Sequence, residues 1–259
     1  MNLNKLLKGS VLAVGMAVGS LGTAAHAAII DLAFVLDGSG SVSTSDYNLA
    51  RTALSNALGL IPTSGTDQYR LGVVTFGSTV TTLVAPTILT AANIAGVQTT
   101  VANAAKDGCG TFMSGAINRV VSDFAAVGLG ATSLINVTTD GFPNSQTATT
   151  ASAAAASAAG WDSLSFEAVG PGAATAYLAG IAFPQPSVIV PSGGAVPNPL
   201  TTGFVLQVTS FADYQTAINA KISKIVNPNP IPLPGALPLV ASGFAAFGAL
   251  RLRRRKAAA

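Results

Sequence analysis

Ile29-Ile30-Asp31-Leu32-Ala33-Phe34-Val35-Leu36, followed by Asp37-Gly38-Ser39-Gly40-Ser41, decides how this chain folds. A nearly unbroken apolar run of strand length is what a strand covered on both faces looks like, and strands of that kind belong to parallel sheets. The loop that follows carries one carboxylate and two hydroxyls on alternate residues. Such oxygen donors suit a hard divalent cation, Mg²⁺ first, with Mn²⁺ or Ca²⁺ as alternatives. The interleaved glycines let the backbone turn so that Asp37, Ser39 and Ser41 converge. Two more oxygens are offered by Thr111, in Gly108-Cys109-Gly110-Thr111, and by Asp140, which follows the strand-like Ser133-Leu134-Ile135-Asn136-Val137-Thr138-Thr139.

Outward from that stretch, residues 28–226 alternate apolar strands with amphipathic helices, the pattern of an α/β domain with a mostly parallel sheet flanked by helices. A helix is expected over 44–61, where Tyr47, Ala50, Leu54, Ala57, Leu58 and Ile61 recur at helical spacing behind the capping pair Ser43 and Asp46. Strands over 69–76 and 79–84 form a hairpin about Gly77-Ser78, placing one antiparallel strand at the sheet edge. Helices follow over 91–105, 113–127, 146–159 and 173–181, and strands over 133–139 and 161–169. Residues 183–199, with five prolines and two glycines, read as an exposed loop insertion. A strand over 203–209 and a helix over 211–226, capped by Ser210 with Asp213, complete the unit. In a doubly wound sheet the loops bearing Asp37, Thr111 and Asp140 all lie at the carboxyl ends of neighbouring strands, beside the switch point where such folds bind ligands.

The net charge of +3 misleads. Lys5, Lys8, Arg251, Arg253, Arg254, Arg255 and Lys256 lie in the two ends, whereas the middle holds six basic and ten acidic residues, a net −4. That balance removes the electrostatic case for nucleic-acid binding. Cys109 is the sole cysteine, so no internal disulfide can form, and it reads as a small apolar residue beside the site loop. His26 is the only histidine and Glu167 the only glutamate, which leaves a metal-assisted hydrolase without an evident base, and the chain is expected not to be an enzyme.

The ends have their own signatures. Residues 1–27 combine Lys5 and Lys8, an apolar stretch over 11–21 and the small-x-small site Ala25-His26-Ala27, the build of a secretory signal cut before Ala28. Residues 227–235 form a proline-rich spacer ending in Ile231-Pro232-Leu233-Pro234-Gly235, and residues 236–256 hold a short apolar helix with an arginine-rich end. The apolar part, 236–250, rises only about 22 Å as a helix against a hydrocarbon core of about 30 Å, so it spans a membrane with thinning or snorkelling. Its basic end is expected to stay cytoplasmic.

Residues 28–226 resemble the von Willebrand factor A domain. Asp37, Ser39 and Ser41 match the D-x-S-x-S of that family's metal-ion-dependent adhesion site, Thr111 matches its threonine loop, and Asp140 in Thr139-Asp140-Gly141 matches its T-D-G element. The resemblance implies a doubly wound, Rossmann-like fold and an intact five-residue metal site, the serines and threonine ligating directly and the aspartates often through water. A cation held by neutral hydroxyls remains under-neutralised, so it seeks a carboxylate from a protein or matrix partner. Adhesion or matrix assembly is the expected function, with a membrane-tethered scaffold for an envelope complex as the alternative. The tail resembles the PEP-CTERM class of bacterial sorting signals, Ile231–Gly235 standing close to its V-P-L-P-A variant. That implies an exosortase-like processing enzyme, transient residence in the inner membrane and a final place at the cell surface or outside the cell. Intact-mass analysis of the mature protein from its native host is therefore expected to give a chain that begins near Ala28 and lacks everything from Ala236 onward; retention of Arg251 and its neighbours would contradict it.

Overall fold

Strands that are apolar on both faces need covering twice, and the computed structural model, which describes residues 28–227, places three helices on each side of one sheet. The strands are β1 (Ile29–Asp37), β2 (Gln68–Phe76), β3 (Val80–Ile88), β4 (Thr132–Thr139), β5 (Ser163–Val169), β6 (Val188–Val190) and β7 (Phe204–Val208). Their order is β3-β2-β1-β4-β5-β7-β6. Only the hairpin strand β3 runs antiparallel to its neighbour.

Alternation along β1 assigns the faces. Leu32, Phe34 and Leu36 pack with α1 (Thr44–Leu58), α2 (Ile94–Ala102) and α6 (Tyr214–Val226), through residues such as Tyr47, Leu54, Val101 and Ile218. Ala33 and Val35 turn the other way, toward α3 (Met113–Ala125), α4 (Gln146–Ala158) and α5 (Thr175–Ile181), meeting Met113, Ile117, Ala153 and Leu178. The cap expected at Ser43 forms, its Oγ accepting from the Asp46 amide at 3.1 Å, and Ser145 Oγ, which the sequence reading did not single out, accepts from the Ala148 amide at 3.2 Å. The second cap starts α4, whose alanines favour helix intrinsically.

Several expectations are corrected. The helix expected to reach Ile61 ends at Leu58, because Gly59, Leu60 and Ile61 tighten into bonds to the third residue back. The helix expected from residue 91 starts at Ile94, since Asn93 Oδ1 accepts from the Thr90 amide and makes a turn ahead of it. Ser210 donates to Asp213 Oδ2 at 2.8 Å, but neither side chain caps α6, which begins at Tyr214. Residues 183–199 are not a bare loop: Val188, Ile189 and Val190 pair in parallel with Phe204, Val205 and Leu206, and Phe183 bridges to Leu164. Prolines at 186 and 191 flank this strand, a placement a sheet edge tolerates. Ala25, Ala27, the motif Ile231–Gly235 and the apolar segment 236–256 lie outside the described residues. Among the described residues no helix is long and apolar enough to cross a membrane.

Two buried ion pairs tie elements together, one strand to strand and the other sheet to helix. Asp31 on β1 receives Arg70 of β2 at 2.7 and 2.8 Å, and also the Gly130 amide. Glu167 on β5 receives Lys221 of α6 at 2.5 Å, and Thr138 Oγ1 donates to Glu167 Oε2 at 3.1 Å while lying 2.9 Å from the Tyr214 hydroxyl. Burial pulls the Lys221 ammonium below its usual pKa, against the carboxylate, which holds it up. Removing one partner of such a pair leaves a bare charge in the core. Glu167→Ala is expected to cost about 3–5 kcal/mol in urea unfolding, and the double variant Glu167→Leu with Lys221→Met clearly less.

Candidate metal centre

The register of the central strands brings the site together. Leu36 lies opposite Thr138 on one side and Thr75 on the other, so β1, β2 and β4 end in step and their loops leave from one edge. Asp37 is 2 % exposed at that edge. Its Oδ1 accepts from the Ser39 amide at 2.8 Å and its Oδ2 from Thr139 Oγ1 at 2.6 Å. Burial raises its pKa to about 6, opposed by the hydrogen bonds from Ser39 and Thr139 and reinforced by the nearby charge of Asp140.

From Asp37 the oxygens continue outward as a row. Ser39 Oγ lies 3.0 Å from Ser41 Oγ, and Ser41 Oγ donates to Asp140 Oδ1 at 2.7 Å. The donor set, two carboxylates and two hydroxyls, consists of oxygens, the ligands a hard divalent cation takes. Among the described residues no three His, Cys, Asp or Glu side chains converge, so a cation held here depends on hydroxyl oxygens.

Thr111 arrives on a loop anchored on three sides. The Gly40 amide donates to the Cys109 carbonyl at 2.8 Å, and the Gly108 amide to the Gly38 carbonyl at 2.8 Å, zipping the loop to the one after β1. Close approach, not a left-handed turn, is what requires Gly40: a Cβ there would sit 3.0 Å from the Cys109 oxygen. On the second side the Gly110 amide donates to Ser78 Oγ and the Phe112 amide to the Gly77 carbonyl, so the hairpin turn braces the loop. On the third, the Thr111 amide donates to Asn144 Oδ1 at 2.9 Å and its carbonyl accepts from the Asn144 amide at 3.0 Å. Asn144 belongs to the same loop as Asp140.

The structure therefore gathers the loops carrying Asp37, Ser39, Ser41, Thr111 and Asp140. Sequence reasoning missed the groups that hold them. Thr139, which orients Asp37, was visible only as part of the T-D-G element. Asn144, Ser78 and Lys106, whose Nζ donates to the Ser39 carbonyl at 2.8 Å, carry no local signal. Cys109 is exposed and contributes its carbonyl, not its thiol, to the loop contact.

Residues 31–189 match the model of the von Willebrand factor type A domain. Among solved structures, the chain is similar to proximal thread matrix protein 1 from the mussel byssus, with a zinc-occupied MIDAS motif, at 18 % identity and a TM-score of 0.60, over 77 % of this chain and 48 % of that one. The manganese-loaded TRAP protein of Plasmodium vivax matches at 19 % identity and a TM-score of 0.55, over 78 % of this chain and 74 % of that one. The pilus adhesin SpaC of Lactobacillus rhamnosus GG matches at 13 % identity and a TM-score of 0.58, over 77 % and 31 %. The chain spans about half the length of the byssal protein. No curated protein sequence matches.

The raised pKa of Asp37 has a signed consequence. A carboxyl that keeps its proton longer in the folded state adds stability that is complete below its ordinary value of 3.8 and is lost as pH rises through about 6. Urea unfolding in EDTA is expected to show that decline between these values, and Asp37→Asn, which has no proton to lose, is expected to flatten it.

Proposed function

We propose that this chain, which belongs to the von Willebrand factor type A domain family, is a metal-dependent binding protein that engages a carboxylate on a protein or matrix partner outside the cell. The observation that carries this reading is the row of oxygens from Ser39 through Ser41 to Asp140, spaced at 3.0 and 2.7 Å across the loops after β1 and β4, with the Thr111 loop braced beside them. Oxygen donors of this kind suit Mg²⁺ first, with Mn²⁺ or Ca²⁺ as alternatives. When bound, the cation supplies an open coordination position for an anionic oxygen.

The chain's own groups do the rest. Ser39, Ser41 and Thr111 offer neutral oxygens, so the partner's carboxylate is not repelled by a crowd of anions. Thr139 and the Ser39 amide hold the Asp37 carboxylate in place. Lys106, donating to the Ser39 carbonyl, adds a positive charge beside the loop. The zinc-occupied and manganese-loaded structures with this fold, and separately the pilus adhesin that shares it, support the same direction.

Binding rather than catalysis is the better account of these groups. Glu167, the sole glutamate, is committed to Lys221 and Thr138 inside the core and is 0 % exposed, so it is no base for a metal-bound water. Surface display or release through the signal at 1–27 and the Ile231–Gly235 motif completes the proposal.

Calorimetric titration with Mg²⁺ and Mn²⁺ tests it. Ser39→Ala and Thr111→Ala are each expected to weaken cation binding at least about tenfold with the unfolding transition little changed. Unchanged affinity in both would refute the ligand assignment. Pull-down from the producing organism's surface fraction is expected to lose its partner in EDTA and in Asp37→Ala.

A further inference from the structure

We infer that the metal face selects protein partners in which the metal-seeking carboxylate is flanked by apolar side chains, and that Phe112 and Phe142 are the two residues that read those flanks. The inference rests on the metal-dependent reading above and names the ligand chemistry of that same site. Its starting point is where the aromatic surface lies. Among the described phenylalanines only Phe112 and Phe142 are exposed, at 44 % and 57 %; the others are buried or half-buried. Scattered apolar side chains on a surface are ordinary. These two are not scattered: Phe112 directly follows Thr111, and Phe142 stands two residues after Asp140. Chain connectivity alone keeps their Cα atoms within about 3.8 Å and about 7 Å of those site residues.

Both sit on loops that are already fixed. The pair of hydrogen bonds between Thr111 and Asn144 joins the Phe112 loop to the Phe142 loop. Phe112 is further held by its amide, which donates to Gly77, and its ring lies over the first turn of α3, where a Cβ on Gly115 would come within 2.5 Å of Cε1. Pro143, next to Phe142, is buried. Little ordering entropy is lost when a partner docks on side chains presented this way, and exposed aromatics on rigid supports are what interface anchors are made of.

Charge and hydrogen bonding choose the occupant. The cation calls for an anionic oxygen, and phenyl rings, without a polar tip, call for apolar contact. An acidic polysaccharide would offer the carboxylate but also many hydroxyls in need of partners. The acceptors nearest the site are already engaged, since Ser78 Oγ, Asn144 Oδ1 and Asp107 Oδ2 each accept a backbone amide, so few of them are left for a sugar's hydroxyls. A protein segment presenting Asp or Glu between apolar residues satisfies both demands.

The test uses the full chain with Mg²⁺ and immobilised synthetic peptides of equal length, with glutamate between leucines, glutamate between serines, or glutamine between leucines, together with a polyuronate oligomer. The leucine-flanked acidic peptide is expected to bind at least about tenfold more tightly than the serine-flanked one. EDTA or the glutamine peptide should abolish binding. The double variant Phe112→Ser with Phe142→Ser is expected to bring the two acidic peptides level, whereas Phe112→Leu with Phe142→Leu retains the preference. Equal binding of the two acidic peptides by the wild type, no Mg²⁺-dependent binding of the leucine-flanked one, a preference that survives the double serine variant, or tighter binding of the polyuronate would each overturn the inference. Calorimetry with Mg²⁺ alone separates these results from failure of the metal reading, since only the latter leaves the wild type without a bound cation.

Discussion

Everything at the metal face depends on β1 and β4 ending level with each other. With Leu36 opposite Thr138, the next residue on each strand is Asp37 and Thr139, and the 2.6 Å hydrogen bond between their side chains closes the sheet's edge. In a parallel sheet a shift of one residue would turn each side chain to the opposite face. Asp37 would then leave the edge, and the row Ser39, Ser41, Asp140 could not form. Register is thus the constraint that converts a sheet into a site.

The cores on both faces enforce that register. Leu32, Phe34 and Leu36 have partners only on the α1 side, and Ala33 and Val35 only on the α3 side. The Asp31–Arg70 pair fixes β1 against β2 toward the opposite end of the strands, and the Glu167–Lys221 pair fixes α6 against β5. Buried pairs of this kind contribute little net stability compared with apolar replacements, but they tolerate only one alignment. The polar residues Thr138 and Glu167 beneath α6 make the same choice for that helix, since its Tyr214 and Lys221 must meet them.

The site itself runs against stability. Asp37 is nearly free of solvent, and its pKa of about 6 means that its charged form at neutral pH is held against a desolvation cost by the Ser39 amide and Thr139. A cation in the row of oxygens would offset that cost, and so would link folding to metal binding. The bracing of the Thr111 loop by Gly40, Ser78 and Asn144 serves the same end, because oxygens that must converge cannot sit on loops that drift.

The elements, and the loops that the sheet gathers at the candidate site, were legible in the sequence alone. Continuous apolar runs such as 29–36 and 133–139 marked buried parallel strands, the stripe Met113, Ile117, Val120 and Phe124 marked a helix, and D-x-S-x-S, the Thr111 loop and T-D-G marked the loops that meet at one end of the sheet. These signals are local, and local periodicity or spacing is enough to carry them. The strand Val188–Val190 was illegible, because three residues between prolines have no period and acquire their hydrogen bonds only from Phe204–Val208. Helix ends shifted for the same reason, through turns such as the one Asn93 makes with Thr90. The partners of the site, Thr139 on Asp37, Asn144 on Thr111, Ser78 on Gly110 and Lys106 on Ser39, were decided only by the tertiary structure. Those contacts join residues from 32 to 102 positions apart, and no pattern within either segment records which distant loop the sheet's register will bring beside it.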